Sequence, residues 1–148
     1  YTKTISEEIE GVSVRQFIGS TPADVRKKTL NDFANGNLQV IVSMKCLDEG
    51  IDVPRSELAI FCASTGNPRQ FIQRRGRVLR LCDGKDEAVI YDLILIPDAS
   101  GDESLFKTEQ SEVEKELRRV RDFAEMSENK HYTRNILNEI ITYYKLNL

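Results

Sequence analysis

Short apolar segments alternate with helix-like segments along the first 97 residues, and this alternation limits the possible folds more than any other feature. Three segments are short and apolar, which predicts buried strands, at residues 38–43, 58–63 and 88–96. Residues 12–17 alternate weakly between apolar and polar and predict a further strand. Strands that alternate with helices indicate β-α-β units, so we expect a parallel sheet with helices on both faces.

The segment between the first two strands carries signals for both ends of a helix. Thr21 is a favourable N-cap, Pro22 suits the first helical position, and Asp24 completes a capping-box pattern. The Asn35-Gly36 pair predicts the end of this helix, with glycine just beyond the last turn. Loops at the carboxyl ends of parallel strands meet at one edge of a sheet, so we expect residues 19–21, 44–52 and 64–67 to lie there.

The character of the chain changes after Pro97. Residues 98–104 are polar and predict a linker. Apolar residues at helical spacing then form two stripes, which predict two amphipathic helices. The first stripe contains Val113, Leu117, Val120 and Ala124, and the second contains Ile136, Ile140 and Tyr144, widened by Leu137 and Ile141.

Charge is distributed unevenly along the sequence. The whole chain carries a net charge of −3, which by itself is not typical of a nucleic-acid binder. Residues 64–82 nevertheless contain five arginines and no Asp or Glu. Arginine presents a planar, permanently charged fork that suits phosphate. A solvated helix face is the alternative interpretation, although such faces usually interleave acidic partners.

Several classes of protein are disfavoured by composition. Hydrophobic residues make up 40% of the chain and charged residues 30%, which is not the composition of a disordered protein. The three cysteines form no CxxC pair and there is one histidine, so we expect no metal site. Apolar runs are far shorter than the roughly 20 residues of a membrane span, and no signal peptide is visible, so we expect no membrane partner and a cytoplasmic location.

Two short motifs follow the predicted strands. Residues 73–80 read Gln-Arg-Arg-Gly-Arg-Val-Leu-Arg, which places Arg77 and Arg80 three positions apart on one predicted helix. Arginine forks on a rigid element suit a phosphoryl group whose charge spreads over several oxygens. Upstream, in residues 49–54, Gly50 permits close backbone approach, and a nearby carboxylate can accept a hydrogen bond from a sugar hydroxyl.

With these motifs in place, residues 12–97 resemble the C-terminal RecA-like domain of superfamily 2 helicases. Residues 73–80 are similar to motif VI, residues 42–52 to motif V, and residues 19–36 to motif IVa. The residues in and around these motifs are most similar to those of helicases from bacterial restriction, repair or defence systems. The resemblance implies an α/β fold with a parallel RecA-like sheet covered on both faces, formed by residues 1–97, and a linker and helical extension at residues 98–148.

The resemblance also implies roles for individual residues. Arg77 and Arg80 match arginine fingers that reach the γ-phosphate of ATP, and Gln73 matches the residue that couples this phosphate to the partner lobe. The residues matched to nucleotide contacts are Glu49, Gly50 and Asp52. The residues matched to contacts with the nucleic-acid backbone are Gly19, Ser20, Arg26, Ser43 and Lys45.

Two features of a complete motor are missing from the sequence. The chain has no Gly-x-x-x-x-Gly-Lys motif followed by Ser or Thr, and no strand that ends in Asp-Glu. We therefore expect a fragment of a larger helicase or translocase, inactive alone, whose ATP and Mg²⁺ are held mainly by an N-terminal RecA-like lobe. DNA is favoured over RNA as the nucleic-acid partner. A non-catalytic helicase-like scaffold or binding module is the alternative.

Overall fold

The computed structural model describes residues 1–44, 53, 55–62, 68–97 and 103–148. Its helices and strands, in chain order, are α1 (Thr2–Glu8), β1 (Val14–Phe17), α2 (Ala23–Ala34), β2 (Val40–Ser43), β3 (Leu58–Phe61), α3 (Pro68–Val78), β4 (Val89–Asp92), α4 (Glu103–Ala124) and α5 (Lys130–Tyr143). The chain divides into two compact units, Tyr1–Ala59 with Arg69–Tyr91, and Ile60–Pro68 with Asp92–Leu148. No helix among the described residues is both long and apolar enough to span a membrane.

The first β-α-β unit forms as the sequence predicts. β1 and β2 are parallel neighbours, with Val14 opposite Val40 and Phe17 opposite Ser43. Parallel strands require a crossover connection, and α2 supplies it while packing on β1. Arg15 of β1 donates from Nη1 to Asp32 of α2 at 2.7 Å, which ties the strand to the crossover helix. The α/β expectation with parallel strands is confirmed.

The N-terminus of α2 differs from the prediction. Pro22 is the N-cap residue and helix α2 begins at Ala23, so the prediction of Thr21 as the cap is wrong. The reason is that the Thr21 hydroxyl accepts a hydrogen bond from the Ile18 amide at 3.0 Å, in the preceding loop, and is not used by the helix.

The C-terminus of α2 agrees with the prediction. Asn35 is the C-cap, and Gly36 follows with a φ of +76°, in the left-handed region. The Asn37 amide donates to Asp32 O at 2.8 Å and the Gly36 amide to Phe33 O at 3.1 Å. These two bonds form a Schellman motif, which satisfies carbonyls at the end of the helix.

β3 and β4 form a second parallel pair among the described residues. The Val89 amide donates to Glu57 O at 2.7 Å, and the Leu93 amide donates to Phe61 O at 3.0 Å. Exposed and half-buried residues alternate along both strands. The prediction that these strands are buried on both faces is therefore wrong for the described residues. Leu58 and Tyr91 are among the exposed side chains, since only the alternate positions are covered.

The main apolar core of the second unit lies between the C-terminal helices. Its buried members are Val113, Leu117, Leu137, Tyr144 and Leu146, with Ile94 and Phe106 among the residues packed against them. The first predicted stripe therefore faces the core, although α4 already begins at Glu103. In the second stripe the predicted Ile136 is 52% exposed and its neighbour Leu137 is buried, because the α5 face at 137, 141 and 144 turns inward.

A buried ion pair connects the end of β4 to α4. Arg119 of α4 donates from Nη1 to the Asp92 carboxylate, and from Nη2 to Glu116 at 2.7 Å. The side chains of Asp92 and Arg119 are only 9% and 11% exposed. Within the second unit, Asp92 is thus joined to α4 by charge, and Ile94, two residues further on, packs against the apolar core.

The turn between α4 and α5 carries an exposed ion pair. Arg134 donates from Nε to Oε1 of Glu125 at 2.9 Å. This hydrogen bond and the positive charge of Arg134 lower the pKa of the Glu125 carboxyl.

Candidate functional site

The loop that follows β1 lies at the same sheet edge as the end of β2. Phe17 and Ser43 are paired in the ladder and are the last residues of their strands, so the chain leaves the sheet at one level on both. Gly19 and Ser20 are exposed in this loop. The structure thus brings Gly19, Ser20 and Ser43 to one edge, as the sequence predicts for the loops of a parallel sheet.

Backbone and side-chain hydrogen bonds close the loop of residues 18–21 on itself. The Thr21 amide donates to Ile18 O at 3.0 Å, and the Ile18 amide donates to Thr21 Oγ1 at the same distance. The sequence predicts Thr21 as a helix cap and as part of the loop of residues 19–21, but it does not predict these two hydrogen bonds. Its position directly before Pro22 was the available signal for a turn, because proline restricts the residue before it to extended conformations.

Arg26 reaches back from the first turn of α2 to this loop. Its Nε donates to Thr21 O at 2.8 Å, and its Nη2 donates to Gly19 O at 2.5 Å and to Ile18 O at 3.2 Å. The guanidinium carbon lies 5.6 Å from the centre of the Phe17 ring, within the range of a cation–π contact. Arg26 therefore holds three loop carbonyls while it rests on a fully buried aromatic ring.

Ser43 has an unusual environment at the end of β2. Its Oγ is buried and makes no hydrogen bond to any protein group. Buried hydroxyls normally find a partner, because an unsatisfied one loses its hydrogen bonds to water without replacement. The hydroxyl is thus a polar atom at the sheet edge with hydrogen-bonding capacity left over.

The arginine-rich segment forms α3 and the turn beyond it. Gln73 is exposed, Arg77 is half-buried, and Arg80 is exposed. α3 ends at Val78, so the prediction that Arg77 and Arg80 share one helix face is wrong. Lys85 Nζ, from the following turn, donates to the carbonyls of Val78 and Arg80, which satisfies these groups at and beyond the last helical residue.

The nucleotide-contact residues predicted from motif V lie outside the described residues. These are Glu49, Gly50 and Asp52, together with Lys45 from the predicted nucleic-acid set. Among the residues that the structure does describe, no group of three His, Cys, Asp or Glu side chains is arranged to hold a metal ion.

The first 82 residues match the family model described as "Helicase conserved C-terminal domain", which is more than half of the chain. The DNA 3'-5' translocase XPB2 of Sulfurisphaera tokodaii is 42% identical over 74 residues, which cover 50% of this chain and 16% of that protein. The putative DNA 3'-5' helicase Rad25 of Haloarcula marismortui is 38% identical over 79 residues, which cover 53% of this chain and 12% of that protein.

A solved structure shows the same fold. The C-terminal domain of the DEAD-box protein Dbp5 superposes with a TM-score of 0.50 at 21% identity, covering 74% of this chain and 59% of that one. The chain spans less than a fifth of the length of the two curated relatives above. By its family match and its fold, the chain belongs to the helicase conserved C-terminal domain family and is a C-terminal RecA-like domain of superfamily 2 helicases.

Proposed function

We propose that this chain is the second motor lobe of an ATP-dependent helicase or translocase that acts on DNA. The observation that carries the proposal is the acid-free arginine segment, because it lies inside the part of the chain that matches the helicase family. DNA is favoured because XPB2 and Rad25 are described as a DNA translocase and a putative DNA helicase.

Arg77 and Arg80 are the proposed arginine fingers. During phosphoryl transfer, negative charge spreads over the oxygens of the γ-phosphoryl group, and guanidinium groups stabilise that charge. Arg80 is exposed and lies beyond the end of α3, where it is accessible to a nucleotide held by another lobe. Gln73, also exposed, is proposed to couple the phosphate to that lobe.

ATP and Mg²⁺ are assigned mainly to an N-terminal RecA-like lobe. Residues 64–82 contain no carboxylate, so this segment fits a phosphate and not a divalent cation. Gly50 and Asp52, with Glu49 beside them, are proposed to contact the nucleotide. This chain alone is therefore expected to show no ATP hydrolysis.

The nucleic-acid backbone is proposed to lie along the sheet edge where β1 and β2 end. Gly19 and Ser20 are exposed there, and the Ser43 hydroxyl has no protein partner. Few cationic groups take part, so we expect weak binding of single strands with a shallow dependence on salt.

The test is the Arg80→Ala variant in a parent protein that contains both lobes. A finger is worth roughly 10³–10⁵ in rate in NTPases where it has been measured, so DNA-stimulated ATP hydrolysis should nearly vanish. ATP binding, measured by equilibrium titration, should persist. Near-normal turnover would overturn the assignment of Arg80.

Arg118→Ala is the matched control, since Arg118 lies on α4 and pairs with Glu114 at the surface. Its removal should leave turnover unchanged. A wild-type parent that hydrolyses no ATP with any nucleic acid would favour the scaffold function. If RNA stimulates ATP hydrolysis and DNA does not, the substrate is RNA.

A further inference from the structure

Arg26 was matched to a contact with the nucleic-acid backbone, but its hydrogen bonds point elsewhere. Nε and Nη2 together donate to the carbonyls of Ile18, Gly19 and Thr21, at 2.5 to 3.2 Å. The side chain is half-buried and its guanidinium lies over the Phe17 ring. The polar capacity of Nε and Nη2 is thus directed to the loop.

The arrangement matters for the charge that the loop presents. Carbonyl oxygens are partly negative and repel a phosphate, and the guanidinium draws three of them toward itself. The exposed loop residues that remain for a ligand are Gly19 and Ser20, which are small and neutral. A loop held in this way offers a backbone of fixed shape at the sheet edge where β2 also ends.

The contact between Arg26 and the loop carbonyls also depends on the shape of the arginine side chain. A guanidinium is a planar fork with donors in fixed directions, whereas an ammonium is a compact point charge. Lysine at this position keeps the positive charge but lacks the geometry to bind three carbonyls and to stack on Phe17. Charge and geometry can therefore be separated by substitution.

We infer that Arg26 is a positioning residue, which fixes the loop of residues 18–21 so that Gly19 and Ser20 can contact the nucleic-acid backbone, and that Arg26 itself contacts no phosphate. This role rests on the proposed function of the chain.

The first experiment measures binding of a fluorescent single-stranded oligonucleotide to the chain over a range of salt concentrations. Arg26→Lys should weaken binding about tenfold, which corresponds to the net contribution of about one hydrogen bond between the loop and the nucleic-acid backbone. Arg26→Gln should weaken binding similarly, with the slope of log affinity against log salt unchanged. Lys27→Gln, which removes an exposed cation one position along α2, should stay within twofold of the wild type.

A direct phosphate contact predicts the opposite pattern. Arg26→Gln would then reduce the salt slope by about 0.7, and Arg26→Lys, which keeps the charge, would bind nearly as well as the wild type. Either result overturns the positioning role. Arg26→Lys also decides the question if Arg26→Gln does not fold.

The second experiment needs no nucleic acid. Amide hydrogen exchange at Ile18 and Thr21, whose amides are hydrogen-bonded within the loop, should be faster in both Arg26 variants and unchanged in Lys27→Gln. If amide exchange is unchanged in the Arg26 variants, the positioning role of Arg26 is overturned and the proposed function of the chain is not affected. Failure of the wild-type chain to bind any oligonucleotide overturns the proposed function instead, so the two failures are distinguishable.

Discussion

Replacement of Asp92 by Asn should destabilise the chain by about 3 kcal/mol. Asp92 and Arg119 are 9% and 11% exposed, so both charges are largely withdrawn from water. Breaking a buried ion pair from one side costs roughly 3–5 kcal/mol, because the remaining charge stays buried without its partner. Glu116, which is 33% exposed, still compensates Arg119 in the variant, so the lower end of this range applies.

Urea denaturation followed by far-ultraviolet circular dichroism measures this loss, since α4 and α5 report directly on the unit that contains the pair. The midpoint should fall while the m-value stays constant. In thermal melts the same loss corresponds to a decrease in Tm of about 6–12 °C. Glu114→Gln is the control, because the Glu114–Arg118 pair is 36% and 52% exposed and should be worth less than about 1 kcal/mol.

The double variant Asp92→Leu with Arg119→Met separates burial of charge from loss of packing. Apolar replacement of both partners of a buried pair is often neutral or stabilising, so the double variant should be more stable than Asp92→Asn. If Asp92→Asn costs no more than Glu114→Gln, or if the double variant is the least stable, the reasoning from buried charge is refuted.

Three further outcomes can be checked by the same denaturation measurements. Gly36→Ala should cost about 1–2 kcal/mol, because its φ of +76° strains an L residue although no atom lies within 4 Å of an added Cβ. Gly76→Ala should stabilise the isolated chain by about 0.5–1 kcal/mol, since this residue is helical and open space surrounds it. If the same variant lowers ATP hydrolysis in a two-lobe protein, the other lobe approaches the helix closely at this position. The pKa of Glu125 is lowered, so its pairing with Arg134 stabilises the fold above the ordinary carboxyl pKa of 4.5. This stabilisation is lost as the pH falls through the lowered pKa. The difference in the free energy of unfolding between wild type and Glu125→Gln should therefore shrink toward zero in acid.

Features governed by neighbours in the sequence were predictable. The Asn35-Gly36 end of α2 follows from the conformational freedom of glycine, and the parallel pairing of β1 with β2 follows from two strand patterns on either side of a helix pattern. The two exposed loop residues at the sheet edge, Gly19 and Ser20, follow from the same topology.

Features that depend on distant partners were not predictable. Asp92 and Arg119 are 27 positions apart and carry no local signal of pairing. The carbonyl contacts of Arg26 depend on how the loop before α2 folds back, and the same turn takes the Thr21 hydroxyl away from the helix. The Val78 carbonyl at the end of α3 is bound by Lys85, which follows in a separate turn.

The ladder between β1 and β2 also bears on how the chain folds. Each of its residue pairs, such as Val14 with Val40, closes a loop of 26 positions. Loop closure costs conformational entropy before the first strand contact forms, which makes such pairings slow. α2 occupies 12 of the intervening positions, and as a helix it forms from local contacts into a rod about 18 Å long. If α2 forms early it replaces much of the flexible loop, so substitutions that stabilise this helix are expected to speed the pairing of the two strands.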